Sequence, residues 1–288
     1  MSNKWNYQSM EKIIENSLHI EVIADYGGGY TTDHAFTEVR NHFYRFDKER
    51  KIRTVTEHPV YAFSTIETGF WIAQEGLHSE HKDLVIFSNT APRGDITWHG
   101  EDSQYFVCGI LDNGIPIFAV NAGFNLSFVK DRLKGLWQVK VPNVGTQFRS
   151  RDYYPEAVMA ILSGDLEKIG DEVNINKIPN VPSFKLASVD GYGNLKTTIK
   201  KSHLKESVFK SRIIRVTVNG YSQLAINTLN GSTISARSFD LCLVQGSSGG
   251  KQANYLEIVR LMARASDDFK VAGPWDDMKP IVIEAVRA

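Results

Sequence analysis

Apolar and polar positions follow two rhythms along this chain. Residues from about Tyr7 to Ser17 carry helical spacing. His19 to Ala24 is a short apolar run, the mark of a buried strand, and it ends in Asp25-Tyr26-Gly27-Gly28-Gly29-Tyr30. Thr32 or Asp33 can cap a helix running to about Phe46, because a short oxygen-bearing side chain satisfies the open N–H groups of a first turn. Lys51 to Glu57 predicts a second strand. Ser64-Thr65-Ile66-Glu67 has capping-box spacing and opens a helix to about Gly76. Asp83 to Ser88 predicts a third strand, which feeds Asn89-Thr90-Ala91-Pro92-Arg93-Gly94-Asp95. Tyr105 to Leu111, closed by the turn Asp112-Asn113-Gly114, and Ile115 to Val120 extend the sheet. Strands and helices in alternation predict an α/β layer with a largely parallel sheet.

A further helix starts near Pro155, whose missing N–H costs nothing in a first turn, and stops at Gly164. Lys168 to Pro182 is polar and carries two prolines, which reads as a linker. Beyond it the rhythm is β. Short strands are expected at Phe184–Val189, Asn194–Ile199, Ile213–Val218, Tyr221–Ile226, Phe239–Val244 and Pro280–Val286. Asn219-Gly220 is a two-residue hairpin signal. The division is an α/β domain over 1–167, a linker over 168–182 and a β-barrel-like domain over 183–288.

Composition narrows the function classes. The 288 residues are 42% hydrophobic and 23% charged, with a net charge of zero. The pI near 7.1 leaves no electrostatic footprint for nucleic acid or for an anionic membrane surface. No run approaches the ~18 apolar residues of a membrane span. The N-terminus lacks a signal-peptide core, so a cytoplasmic protein is expected. Cys108 and Cys242 sit singly in apolar runs and read as buried thiols.

Candidate chemistry gathers in a few places. A carboxylate at the end of the first strand, Asp25, stands where open α/β sheets place ligands, and it could accept hydrogen bonds from a ribose diol; a plain Asp-Gly turn is the alternative. The glycines after it do not form a dinucleotide fingerprint. Arg149, Ser150, Arg151 and Asp152 precede Pro155 and are expected at a helix N-terminus, which favours negative charge. Gly246-Ser247-Ser248-Gly249-Gly250-Lys251-Gln252 fails as a P-loop, since glutamine replaces the magnesium-binding hydroxyl. His78 and His81 read as surface residues, and no metal site is expected.

Read in order, five segments resemble the S-adenosylmethionine (SAM) hydroxide adenosyltransferase and halogenase family, which includes fluorinases and chlorinases. Ala24-Asp25-Tyr26-Gly27 is similar to its Thr/Ser-Asp-Phe/Leu-Gly motif. Leu111-Asp112-Asn113-Gly114 is similar to Pro-Asp/Asn-Asn-Gly. Phe148-Arg149-Ser150-Arg151-Asp152 resembles Phe-x-Gly/Ser-Arg-Asp/Glu. Asp190-Gly191-Tyr192-Gly193-Asn194-Leu195-Lys196-Thr197-Thr198-Ile199 resembles Asp-x-Phe-Gly-Asn-x-x-Thr-Asn-Ile. Ser247 or Ser248, then Tyr255-Leu256-Glu257-Ile258, resemble Asn-Ser-x-Gly-Tyr-Leu-x-Ile with an insertion.

The resemblance implies a homotrimer that binds SAM, its substrate, between one subunit's N-terminal domain and a neighbour's C-terminal domain. It implies attack at ribose C5′ with methionine leaving, and no further cofactor. In that reading Asp25 holds the ribose hydroxyls and Asn113 adds to the substrate site. Asp190 pairs with the methionine ammonium, Ser247 or Ser248 lies near its carboxylate, and Tyr192 and Asn194 meet the adenine. Ser150 and Arg149 face the nucleophile. The chain departs from the hydroxide-using members: the loop Ser88–Asp95 does not match their Val-Asp-Pro-Gly-Val-Gly-Thr-x-Arg, although Arg93 and Asp95 lie in it, and Arg149 stands where they have histidine, so their triad is absent as a set. Ser150 matches the halide-site serine instead. Three readings follow: a SAM hydrolase giving adenosine and L-methionine, a halide-using relative, and a SAM- or nucleoside-binding homologue without catalysis.

Overall fold

The computed structural model describes residues 17–27, 31–78, 83–91, 105–142, 147–229, 237–238, 240–249 and 255–286. The helix expected at Tyr7–Ser17 lies outside them except for its last residue. The chain divides into two units, Met1–Asn180 and Val181–Ala288. Each is built on its own seven-stranded mixed sheet with a few helices.

In the first unit the apolar runs become β1 (Leu18–Ala24), β2 (Ile52–Pro59), β3 (Leu84–Asn89), β4 (Phe106–Leu111) and β5 (Pro116–Val120). β6 (Leu133–Val139) and β7 (Ile169–Glu172) follow. The helices are α1 (His34–Phe46), α2 (Thr65–His78), α3 (Arg149–Asp152) and α4 (Tyr154–Leu162). The strand order is β2-β1-β3-β5-β4-β6-β7. β1–β2, β1–β3 and β3–β5 are parallel, whereas β4–β5, β4–β6 and β6–β7 are antiparallel. The sheet is therefore mixed rather than largely parallel. The cause is local: the turn at Asp112–Gly114, with Gly114 at φ +95°, folds β4 back against β5. The 168–182 segment supplies β7 to this sheet, and the division between units falls after Asn180.

β1 is buried on both faces, as a strand flanked by parallel neighbours requires. Leu18, Ile20, Val22 and Ala24 pack with Phe36, Val39 and Phe43 of α1 and with Ala157, Val158 and Ile161 of α4. Ile23 faces the other way, in a cluster with Ile72 and Ala73 of α2. The helix starts have clear chemistry. The Ala35 N–H donates to Asp33 Oδ1 at 3.0 Å. The Glu67 N–H donates to Ser64 Oγ at 3.2 Å, but the Glu67 carboxylate accepts from the Tyr61 N–H at 2.7 Å. The expected capping box is thus half formed, and its acid fastens the preceding loop.

The second unit contains β8 (Leu186–Val189), β9 (Leu195–Thr197), α5 (Glu206–Lys210), β10 (Ile213–Val218), β11 (Tyr221–Asn227) and β12 (Leu241–Gln245). β13 (Leu256–Arg260), α6 (Ala265–Asp268) and β14 (Val282–Ala285) complete it. Its order is β14-β10-β11-β12-β13-β9-β8. Only β11–β12 is parallel among the described pairs. Asn219 and Gly220 both have positive φ, 50° and 81°, as the tight β10–β11 turn demands. Leu195, Ile214, Val216, Leu243 and Ile258 are fully buried in its core.

Candidate functional site

The strand order reverses direction at β1: β2 lies on one side of it and β3 on the other. Such a switch opens a crevice at the carboxyl ends of the strands. Asp25 and Tyr26 follow β1 at that edge, and Asn89-Thr90 end β3 there. The Asp25 carboxylate accepts the Phe63 N–H at 3.0 Å. Phe63 stands between β2 and α2 with φ +62°, an uncommon conformation for a bulky residue, and its ring is 46% exposed. The loop after β2 is therefore tied to the carboxylate that ends β1.

Phe148 and Ser150 come to the same edge. The Tyr26 ring meets Phe148 edge-on at 5.5 Å and Phe36 at 5.0 Å. The Tyr26 hydroxyl is buried beside Ser150, and among the described residues it has no well-formed hydrogen bond. Burial pushes its ionisation far up, and the Asp25 and Tyr154 charges add to this, so it is a neutral phenol. Ser150 itself is 4% exposed. Arg151 lies over the Phe148 ring at 4.8 Å and pairs with Asp152 at 2.6 Å and Glu38 at 3.3 Å. Arg149 lies near enough to Tyr154 for its charge to favour the ionised phenol, although burial of Tyr154 dominates and raises its pKa. Tyr154 stacks on Phe106 with ring centroids 3.9 Å apart.

Arg149–Asp152 do not form the N-terminus of the long helix. They make the separate four-residue α3, which ends at Tyr153 (φ −125°), and α4 begins afresh at Tyr154 with Pro155 in its first turn. The pyrrolidine ring cannot donate to the preceding turn, so the helix breaks before it. The anion-attracting dipole expected at Ser150 is accordingly that of one turn only.

A buried polar group lies behind this edge. Thr68 Oγ1 donates to Thr90 Oγ1 at 2.9 Å, and Asn125 Nδ2 donates to the Thr90 and Val120 carbonyls at 2.7 and 2.9 Å. Thr68, Thr90 and Asn125 are all fully buried. Asn121, at the carboxyl end of β5, reaches the same edge. Nothing in the linear pattern marks Phe63 or Asn125, since each is brought here by pairing of distant strands.

Asn113 is elsewhere. It sits in the β4–β5 turn, at the opposite edge of the sheet from Asp25, because β4 runs antiparallel to β5. Its Nδ2 donates to the Gly76 carbonyl at 2.7 Å and its Oδ1 accepts the Ile115 N–H at 3.2 Å. Its amide fastens the end of α2 to the hairpin.

In the second unit, Asp190, Tyr192 and Asn194 share the β8–β9 turn. Asp190 Oδ1 accepts the N–H groups of Tyr192 and Asn194 at 2.9 and 3.0 Å, and Oδ2 accepts Asn194 Nδ2 at 3.1 Å. Gly193 has φ +78°, and a Cβ there would stand 2.7 Å from Arg264 and Ser266. Arg264 donates to the Gly191 carbonyl at 3.1 Å. The Tyr192 side chain is left 81% exposed. Ser247 and Ser248 lie between β12 and β13, by the other end of β9, since β9 and β13 are antiparallel. Three residues of strand separate the two loops by about 10 Å.

Among the described residues no cluster of histidine, cysteine, aspartate or glutamate is arranged to hold a metal ion. No helix among them is long and apolar enough to cross a membrane. Both cysteines are buried, and burial raises the Cys108 thiol to about 12. Arg93, Asp95, His81 and Gly250–Gln252 lie outside the described residues.

No family model matches the sequence, and no curated protein matches it. Among solved structures, the fold is similar to that of an uncharacterized conserved protein from Thermotoga maritima. The TM-score is 0.65 at 17% identity, with 92% of this chain and 99% of that one covered, so the likeness is one of fold.

Proposed function

We propose that this protein is a SAM-cleaving adenosyltransferase that uses water to release adenosine and L-methionine. The observation that carries the reading is convergence: two of the resembling segments, Asp25–Tyr26 and Phe148–Ser150, are far apart in sequence yet meet through the Tyr26 ring at the carboxyl end of β1. Asp25 supplies charge-assisted acceptance for the ribose diol. Tyr26 and Phe148 supply a water-excluding wall, and Ser150 supplies a buried hydroxyl for the nucleophile. In the homotrimer we propose with it, a neighbouring subunit supplies Tyr192 and Asn194 for the adenine, and Asp190 with Ser247 or Ser248 for the amino-acid end. SAM is the substrate, and no further cofactor is invoked.

In the reaction the water oxygen forms a bond to C5′. The C5′–sulfur bond breaks with its electron pair going to sulfur, and the proton passes to solvent. Arg149 cannot serve as a base, because a guanidinium has no acceptor at neutral pH. The rate would come from orientation and desolvation, helped by a sulfonium leaving group.

The test is incubation of purified protein with SAM, followed by chromatography for adenosine and methionine. Product is expected, and Asp25→Ala should abolish it together with nucleoside binding. A 5′-haloadenosine formed in chloride or fluoride would replace water by halide. SAM or adenosine binding without turnover would leave a non-catalytic homologue.

A further inference from the structure

The Ser247–Ser248 loop is held from below by an ion pair. Glu257 on β13 and Lys196 on β9 are direct cross-strand partners. Lys196 Nζ and Glu257 Oε1 are 3.1 Å apart, and each side chain is only 11% exposed. That same Oε1 accepts the Ser247 N–H at 3.3 Å and the Ser248 hydroxyl at 3.4 Å. Ser248 is 3% exposed. The packing leaves no slack: a Cβ on Gly246 would stand 2.7 Å from Glu257 Oε1 and 2.5 Å from the Tyr255 carbonyl. The Gly246 N–H donates to Tyr255, and the Tyr255 N–H returns to the Ser248 carbonyl. One carboxylate oxygen therefore orders the loop's backbone and one of its hydroxyls.

We infer that Glu257 is a positioning residue for the amino-acid end of the substrate, with Lys196 as its counter-charge. The inference rests on the SAM reading above. A buried carboxylate close to a substrate carboxylate would repel it. Lys196 cancels that charge, so the loop can be braced by an acid without opposing an anionic ligand. The bracing also commits the Ser247 N–H and the Ser248 proton to Glu257. The Ser247 hydroxyl is then the donor of this pair of serines that can turn to the ligand.

Glu257→Gln, Lys196→Met and the double variant Glu257→Gln/Lys196→Met test this against the wild type. Binding of S-adenosylhomocysteine and of adenosine is measured by calorimetry, and amide exchange at 247–249 by mass spectrometry. Glu257→Gln should weaken S-adenosylhomocysteine by about tenfold, the size of one charge-assisted hydrogen bond, and leave adenosine within about twofold. Exchange at 247–249 should quicken. Lys196→Met alone should be worse than the double variant, since it strands the acid. Equal weakening of both ligands, or unchanged exchange in a folded variant, would overturn the positioning role. Absence of S-adenosylhomocysteine binding in the wild type would sink the SAM reading, while the exchange result would still decide whether Glu257 orders the loop.

Discussion

At the scale of single residues, Tyr26 shows how burial and function pull apart. Its hydroxyl is enclosed beside Ser150 with no well-formed hydrogen bond among the described residues, a cost a stable fold rarely carries without use. Tyr26→Phe should therefore keep the stability of the wild type or gain about 1 kcal/mol, measured as a urea midpoint. A loss of that size instead would mean that the hydroxyl is bonded in solution. Glu21 is the opposite case. Burial works to raise its carboxyl, but hydrogen bonds from His58 and Thr56 and the charges of His58 and His19 outweigh it and hold the group below its ordinary 4.5. A depressed folded value contributes stability above the unfolded value and loses it as pH falls through the folded one. Stability should therefore drop on the acid side of about pH 4.5, and Glu21→Gln should flatten that limb in a denaturant series across pH. An unchanged slope would show that Glu21 does not govern it.

At the scale of elements, most strands and helix starts were legible because their causes are local. The Asp33 cap and the Asn219-Gly220 turn follow from side-chain reach and backbone stereochemistry alone. Asp33→Ala should cost about 1 kcal/mol in thermal or chemical unfolding, and a neutral result would show that α1 starts without its cap. Elements without a local cause were not legible. β6 buries Gly135, Leu136 and Val139 in no simple alternation, and it is a strand because β4 pairs with it. β7 is short and largely exposed, and β13 follows a stretch with turn composition. The break between α3 and α4 was foreshadowed by Pro155, yet the expectation of one helix start ignored that a proline ends what precedes it.

At the scale of the whole molecule, each unit carries its own buried cluster: Phe36, Phe43 and Phe87 in the first, Leu243, Ile258 and Phe269 in the second. The proposed homotrimer predicts a light-scattering mass about three times the 32.4 kDa chain. A monomer mass would exclude that assembly and any substrate site that needs a neighbour. The sequence by itself determined the two-part organisation, the buried β1 and the residues worth testing, because periodicity, caps and turns act over a few positions. Tertiary structure decided which of those residues share an edge. Asp25, Tyr26, Phe148 and Ser150 gather at the carboxyl end of β1, while Asn113 is carried to the far edge of the same sheet. The physical reason is strand direction: a residue's edge depends on whether its strand runs parallel or antiparallel to β1, and pairing between distant segments sets that direction.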